Sequence, residues 1–287
     1  MEAIWKEPLR ENTVMRIFRG QTDDWPLLPK LFRTDRTQNE LRNLEHMLMC
    51  LFEQRCLFLL PSVPEGQYDK MSLAQHYGLP TRLLDWSSNP LMALFFAVDT
   101  LEPAQPTVWV YDVSQEQRDA GNTLNRETFI QDHKLTPILN PSRHSQRVVA
   151  QAGWHTVHSL PGAEDDSVRV QPMNEADDAK RLTSVTIEPQ KARAIKRELW
   201  DMGIHSATVY GDLTSVCREI QDHLEIPSGM RGTGGSGLRD RQRSTGVAGH
   251  PDPHPRLDER TEGQETPSLG HPGASADAGA ACIGNGV

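Results

Sequence analysis

The chain has 287 residues, 37% of them hydrophobic, and a formal net charge of −9 at pH 7. This length suits one large domain or two small ones, and the negative charge argues against general nucleic-acid binding. No apolar run approaches the length of a membrane span, and the amino terminus lacks the apolar core of a signal peptide, so we expect no membrane partner.

The cysteines show no CxxC spacing that would indicate a zinc knuckle or a disulfide framework. They are Cys50, Cys56, Cys217 and Cys282. Their spacing fits a reducing compartment, and we expect a cytoplasmic protein without a metal or a resident cofactor.

The carboxyl-terminal part of the chain differs in composition from the rest. Residues 227–287 are rich in Gly, Pro, Arg, Asp and Ser and poor in aromatic and β-branched residues. Such a segment cannot bury enough apolar surface to offset its ordering entropy. We therefore predict a single α+β domain over residues 1–226, followed by a disordered tail over residues 227–287.

The first predicted elements are a buried strand and a long helix. Val14 to Phe18 is apolar apart from one Arg, which is typical of a strand inside a sheet. It ends at Arg19-Gly20, where the Gly would allow a turn or the close approach of a ligand. Thr37 and Glu40 form a predicted capping box, and leucines at helical spacing follow to about Gln54.

The stretch from Ser72 to Asp99 combines polar residues with a very apolar run. Tyr68 to Tyr77 is predicted to be a helix that Gly78 ends. Thr81 to Trp86 can then run extended, and Ser87, Ser88 or Asn89 can cap a helix from Leu91 to about Val98. This helix is apolar nearly all round, so it should be buried.

The remaining pattern alternates strands and helices. We predict strands at residues 107–113, 182–187 and 204–209, an extended segment within residues 147–159, and a helix from Pro189 to Gly203. A last helix starts at Asp212. Its predicted buried face consists of Leu213, Val216, Cys217, Ile220 and Leu224.

Two stretches carry a resemblance to a known family. Phe18-Arg19-Gly20-Gln21, followed by residues 75–86 (QHYGLPTRLLDW), resembles the FRG domain, named after its Phe-Arg-Gly signature. Gln151-Ala152-Gly153-Trp154 and residues 210–213 (YGDL) are similar to the later segments of the family, so the resemblance extends from Val14 to Leu224. The family is bacterial and phage-associated with little established biochemistry, and the resemblance implies a role in phage defence.

A second resemblance suggests a reaction. ADP-ribosyltransferases of the Arg–Ser–Glu type have an Arg at the end of their first strand and a Ser-containing motif that leads into an apolar helix. Arg19-Gly20 and residues 85–93 (DWSSNPLMA) are similar to this pattern. The resemblance implies a nucleotide pocket of the NAD type and transfer or hydrolysis of an ADP-ribosyl group.

Such chemistry assigns roles to named residues. The Arg19 fork would bind a phosphate, a serine would bind the ribose or the nicotinamide end, and Asp85 would stabilise the ribosyl cation. Gln151 stands where the transferase pattern would have Glu, so either another residue supplies the acid or the nucleotide is bound without turnover. The candidate catalytic residues are Arg19, Asp85 and His76, and the candidate substrate-binding residues are Gly20, Gln21, Gln75, Arg82, Ser87, Ser88 and Gln151.

Structural alternatives exist for the same residues. Arg19 could be an ordinary structural cation paired with Asp85, and an Asp among apolar neighbours should need a partner, for which Arg19, Arg82 and His76 are available. His155 and His158 should point to opposite faces of a strand and thus not share a metal. The functional alternatives are an NAD-type enzyme and a non-catalytic recognition module, while the net charge disfavours a nuclease built on His76 and Asp85.

Overall fold

The computed structural model describes residues 8–56, 59–60, 64–100, 103–124, 136–141, 149–160 and 169–225. The chain divides into two units, Met1–Arg231 and Gly232–Val287, and every described residue belongs to the first. The predicted disordered tail at residues 227–287 lies outside the described residues.

The described residues contain one sheet of six strands in the order β4-β5-β2-β1-β3-β6, with all neighbouring strands antiparallel. This arrangement, together with the helices, confirms the predicted α+β class. The central pair is β1 and β2, so residues on these strands have neighbours on both sides. The strands are β1 (Thr13–Gln21), β2 (Leu83–Ser87), β3 (Thr107–Ser114), β4 (Ile138–Leu139), β5 (Gly153–Val157) and β6 (Leu182–Thr186).

Seven α-helices accompany the sheet in the described ranges. They are α1 (Gln38–Cys56), α2 (Gln67–His76), α3 (Pro90–Ala97), α4 (Gln115–Thr123), α5 (Ala192–Asp201), α6 (Ser206–Tyr210) and α7 (Leu213–Glu225). Short 3-10 turns span Lys30–Phe32, Asp177–Arg181 and Pro189–Lys191. No helix among these residues is long and apolar enough to cross a bilayer.

Helix α3 packs directly on β1. A Cβ atom placed on Gly20 would lie 1.7 Å from the carbonyl oxygen of Ala93, so only a glycine permits this contact. Phe18 and the apolar residues of α3 belong to one buried cluster. The need for a glycine after Arg19 therefore comes from helix packing, because Gly20 lies inside the strand and makes no turn.

The opposite face of the sheet carries an aromatic cluster. Trp86 and Tyr111 are buried there beside Ile17, with ring centroids of Trp86 and Tyr111 5.5 Å apart. The indole nitrogen of Trp86 donates a hydrogen bond of 3.1 Å to Thr156 Oγ1 on β5. A buried tryptophan usually needs such a partner, and this one ties β2 to the strand beside it.

The predicted helix boundaries are confirmed by their capping contacts. The Thr37 hydroxyl accepts from the Glu40 amide, and the Glu40 carboxylate accepts from the Thr37 amide, so the capping box of α1 forms. Asn89 caps α3 by accepting from the Leu91 amide. Gly78 and Gly203 end their helices with φ of 91° and 78°, which favours glycine.

Two predictions from the later part of the chain were wrong. Residues 204–209 were predicted as a strand, but Ser206–Tyr210 is a short helix, α6, which ends at Gly211 in the left-handed conformation. A β-branched pair in so short a segment did not outweigh the local capping contacts of His205 and Thr208.

The predicted buried face of α7 is exposed instead. Leu213 is 79% and Ile220 is 55% exposed, and Val216 and Cys217 are exposed as well, while the Leu224 side chain lies outside the described residues. The helix is held by its polar side: Asp222 bonds Lys196 at 3.1 Å, and Arg218 bonds Asp99 at 2.9 Å. Its orientation thus follows ion pairs rather than apolar periodicity.

Candidate functional site

A cleft of about 320 Å³ opens where β1, β2 and the segment after β1 meet. Its lining includes the motif residues Arg19 and Asp85 together with Arg33, which follows the 3-10 turn at Lys30–Phe32. The other lining residues are Phe18, Gly20, Gln21, Thr22, Trp25, Trp86, Ser87, Phe96 and Gln151. We call this space the Arg19 cleft.

The Arg19 guanidinium is fixed by two contacts that leave part of it available. Its Nη1 atom donates to the main-chain oxygen of Asp85 at 2.7 Å, and its Nε atom donates to Gln21 Oε1 at 3.3 Å. Gln21 is itself held by donating to the Trp25 carbonyl at 2.7 Å. The Nη2 atom of Arg19 has no acceptor among the described residues, so it can donate to a ligand.

Positive charge is concentrated in the Arg19 cleft. Burial lowers the pKa of Arg19 to about 10, while the charge of Asp85 raises it and the charge of Arg33 lowers it. The side chain therefore remains charged at neutral pH, although two guanidinium groups share one cleft. The two neighbouring arginines carry like charges that repel each other. An anionic ligand is therefore favoured, since it reduces this repulsion and compensates for the desolvation of both guanidinium groups.

Asp85 lies on β2 at the edge of the Arg19 cleft. Its Oδ1 atom accepts from Gln75 Nε2 at 2.6 Å and lies 3.1 Å from His155 Nε2. The carboxylate is surrounded by protein on several sides, although its side chain is 64% exposed through the opening. The Asp85 carboxylate is thus held in place by the Gln75 amide and the His155 imidazole, while one side of the carboxylate remains open to solvent.

The charge state of Asp85 follows from these contacts. Burial alone would raise its pKa, but the hydrogen bond and charge of His155, the charge of Arg19 and the hydrogen bond from Gln75 hold it at about 2. Asp85 is therefore ionised at neutral pH. Such a carboxylate can bind a hydroxyl or stabilise a developing cation, but it cannot act as a general acid there.

His155 connects Asp85 to the interior. Its Nε2 atom faces the Asp85 carboxylate, and its Nδ1 atom lies 3.0 Å from the hydroxyl of the buried Tyr68. An ionised carboxylate only accepts hydrogen bonds, so Nε2 carries a proton, and in neutral His155 the Tyr68 hydroxyl donates to Nδ1. The result is a chain of hydrogen bonds from Tyr68 through His155 to Asp85.

His76 does not line the Arg19 cleft. It ends α2 and lines an adjacent cavity of about 80 Å³, into which Ser72, Gln75 and His155 also face. Asp85, Trp86 and Gln151 line both spaces. The motif therefore brings Arg19, Asp85 and Ser87 to one cleft and leaves His76 behind Asp85, in the smaller cavity.

The serines and Gln151 are mostly engaged by the main chain. The buried Ser87 hydroxyl donates to the Gln151 carbonyl at 2.6 Å and accepts from the Asn89 amide at 2.9 Å. Ser88 is exposed, and its hydroxyl lies 3.4 Å from the Ala152 carbonyl. Gln151 donates to the Val209 carbonyl at 3.3 Å. Ser87 and Gln151 therefore form part of the wall of the Arg19 cleft, whereas Ser88 does not line it.

Arg82 is placed away from the Arg19 cleft. Its side chain is 1% exposed and forms an ion pair with Glu45 of α1, with Nη2 and Oε2 2.5 Å apart. Arg82 and Asp85 are three residues apart in an extended segment, so their side chains point to opposite sides. Arg82 does not line the Arg19 cleft, and its role in substrate binding stays a prediction. The expected partners of the Asp85 carboxylate were wrong, since His155 and Gln75 are the residues that bond it.

Three residues of the site gave no clear signal in the sequence. His155 is the direct partner of Asp85 in the β2–β5 register, but nothing in the chain pattern reveals that register. Arg33 and Trp25 lie in an irregular connection without periodicity. The only indication for His155 was its position one residue after Gln151-Ala152-Gly153-Trp154.

Comparison with known proteins gives one match. The sequence model of the FRG domain matches residues 15–105, a range that runs from β1 to the segment just before β3. No curated protein matches the chain, and no solved structure does. The two motifs that form the Arg19 cleft, Phe18–Gln21 and Gln75–Trp86, lie within the matched range, and the protein carries an FRG domain there.

Proposed function

We propose that the Arg19 cleft binds a phosphorylated nucleotide and that NAD is its ligand. The observation that carries this proposal is the meeting of Arg19 and Arg33 in one cleft with the ionised Asp85 at its edge. Guanidinium groups bind phosphate oxygens with several directed hydrogen bonds. The cleft volume of about 320 Å³ is at the lower end of ordinary ligand pockets.

The reaction that fits such a ligand is cleavage of the ribosyl–nicotinamide bond, as the pattern similarity to ADP-ribosyltransferases suggests. The bond between C1′ and the pyridinium nitrogen breaks, its electron pair stays on nicotinamide, and water or an acceptor hydroxyl adds to C1′ and releases its proton to solvent. The negative charge of Asp85 would stabilise the ribosyl cation as it forms. In a bacterial or phage setting, NAD consumption of this kind would serve phage defence in the cytoplasm.

A second function is favoured by one observation. Asp85 is the sole carboxylate among the described residues that line the Arg19 cleft, and Gln151 lines it where the transferase pattern would have Glu. A recognition module would bind the nucleotide with the same arginines and release it unchanged. The two functions therefore share a binding step and differ only in turnover.

Calorimetric titration of the purified full chain with NAD, ADP-ribose and AMP tests the binding step, and chromatography of released nicotinamide tests turnover. We expect Arg19→Ala to abolish binding and Asp85→Asn to retain binding but lose nicotinamide release. Arg55→Ala is the matched control, since Arg55 is exposed at the end of α1 and lines no part of the cleft. Binding without nicotinamide release would identify the recognition module, and absence of binding by all three nucleotides would refute the proposal.

A further inference from the structure

A second cavity, of about 280 Å³, lies between α1 and α2 on the inner side of Arg82. It is much larger than the space that one water molecule occupies, and the exposed His46 and Gln67 belong to its lining, so a small molecule can enter it from solvent. Its apolar lining includes Met49 and Met71, and its charged lining includes Arg82, Glu45 and Arg42. The remaining lining residues are His46, Cys50, Glu53 and Gln67.

Arg82 has one donor group left over in this cavity. Its Nε atom donates to both carboxylate oxygens of Glu45, at 2.8 and 3.1 Å, and its Nη2 atom donates to Oε2 at 2.5 Å. The Nη1 atom has no acceptor among the described residues. Because Nη1 is not fully enclosed by protein, it is open to the cavity, where the oxygen of a ligand would accept a hydrogen bond from it.

The charges around the cavity favour a monoanion. Glu45 is already bonded to Arg82, and Glu53 is paired with Lys70 at 3.2 Å, whereas Arg42 adds a further positive charge to the lining. A dianionic phosphate would lie against the Glu45 carboxylate and be repelled by it. One oxygen of a carboxylate, in contrast, needs only the single free nitrogen of Arg82.

We propose that this cavity is a binding site for a small organic carboxylate. The carboxylate would accept from Arg82 Nη1, and its apolar body would pack against Met49 and Met71. The site is separate from the Arg19 cleft, as the two linings share no residue. The inference therefore does not depend on nucleotide binding.

Titration with sodium benzoate, at constant ionic strength, tests this site in the full chain labelled with ¹³C at the methionine methyl groups. We expect saturable shifts of the Met49 and Met71 signals and none for the exposed Met47 and Met202. Benzylamine has the same shape but the opposite charge, so it should produce no saturable shift. Inorganic phosphate should not displace benzoate.

Substitution of Arg82 could unfold the chain, so the matched variants fill the cavity instead. Cys50→Phe places a ring into the lining and should weaken benzoate binding at least about tenfold. Met47→Phe, on the exposed side of the same helix, should leave it unchanged. A cavity that holds water alone, shown by no saturable benzoate shift, overturns the proposal, and so does equal binding of benzylamine or full binding by Cys50→Phe.

Discussion

The imidazole of His155 and the carboxylate of Asp85 lie opposite each other on neighbouring strands, with Nε2 and Oδ1 3.1 Å apart. This contact fixes the charge of the carboxylate at the edge of the Arg19 cleft. It also makes the stability of the fold depend on pH in a way that can be measured.

We expect Asp85 to contribute stability that is lost in acid. Its pKa in the folded chain is lowered from 3.8 to about 2, so the contribution is fully present above the unfolded value and disappears as the pH falls through the folded one. Urea unfolding of the wild type and of Asp85→Asn, from about pH 6 to about pH 2, spans the acidic pKa of the carboxyl group and measures this contribution. The difference in the free energy of unfolding between the two proteins should shrink as the pH falls. The change should be smaller than the free energy that corresponds to the full pKa shift, because the Asp85 side chain is 64% exposed and solvent screens its charge. A constant difference across the range would contradict the expectation.

Arg33 should matter for binding far more than for folding. It is exposed and lines the Arg19 cleft, so Arg33→Ala removes a charge without leaving a buried partner. We expect the affinity for ADP-ribose to fall about tenfold, or about 1.4 kcal/mol, and its dependence on salt to weaken. Calorimetry at two salt concentrations measures both, with Arg55→Ala as the control variant.

The ion pair of Arg82 and Glu45 should behave as a unit. Arg82→Met leaves the Glu45 carboxylate buried and unpaired, so we expect a loss of about 3–5 kcal/mol in the free energy of unfolding. The double variant Arg82→Met/Glu45→Leu should be more stable than this single variant. Denaturant unfolding of the three proteins gives the comparison.

A control for that cycle is the exposed pair Lys191–Glu188, with Nζ and Oε1 2.8 Å apart. Lys191→Ala should cost at most about 1 kcal/mol. A double variant less stable than Arg82→Met would show that the pair is not an isolated unit, contrary to our expectation.

Gly20→Ala should be strongly destabilising. The new methyl group would lie 1.7 Å from the Ala93 carbonyl oxygen, so α3 would have to move away from β1. Overpacking of this kind costs about 1–3 kcal/mol or more. Gly78→Ala meets no atom within 4 Å but has φ of 91°, and we expect it to cost about 1–2 kcal/mol for the left-handed conformation alone. Thermal unfolding of both variants tests this order.

The central elements could be predicted because their signals are local. The Thr37–Glu40 capping box, the Asn89 cap and the Gly78 helix end each depend on residues a few positions apart. The contacts of the site join distant parts of the chain. The register that places His155 beside Asp85 is set by strand pairing, which single-sequence periodicity does not contain.

The orientation of α7 was predicted wrongly although its sequence has a clear local pattern. Its leucine and isoleucine spacing predicted a buried face, but the long-range pairs Arg218–Asp99 and Lys196–Asp222 turn that face outward. Likewise, the position of Arg82 depends on Glu45, 37 residues earlier in the chain. Charged residues whose partners lie far away in sequence were the ones that local patterns misplaced.

The place of β2 in the sheet has a consequence for where the domain can be cut. Within residues 15–105, β1 retains β2 as a neighbour but loses β3, and β2 loses β5 and with it His155. Such a fragment would expose two unpaired strand edges, which favour aggregation. We therefore expect the matched range, residues 15–105, to be shorter than the unit that can fold, and the smallest stable version of this protein to include the strands that follow it.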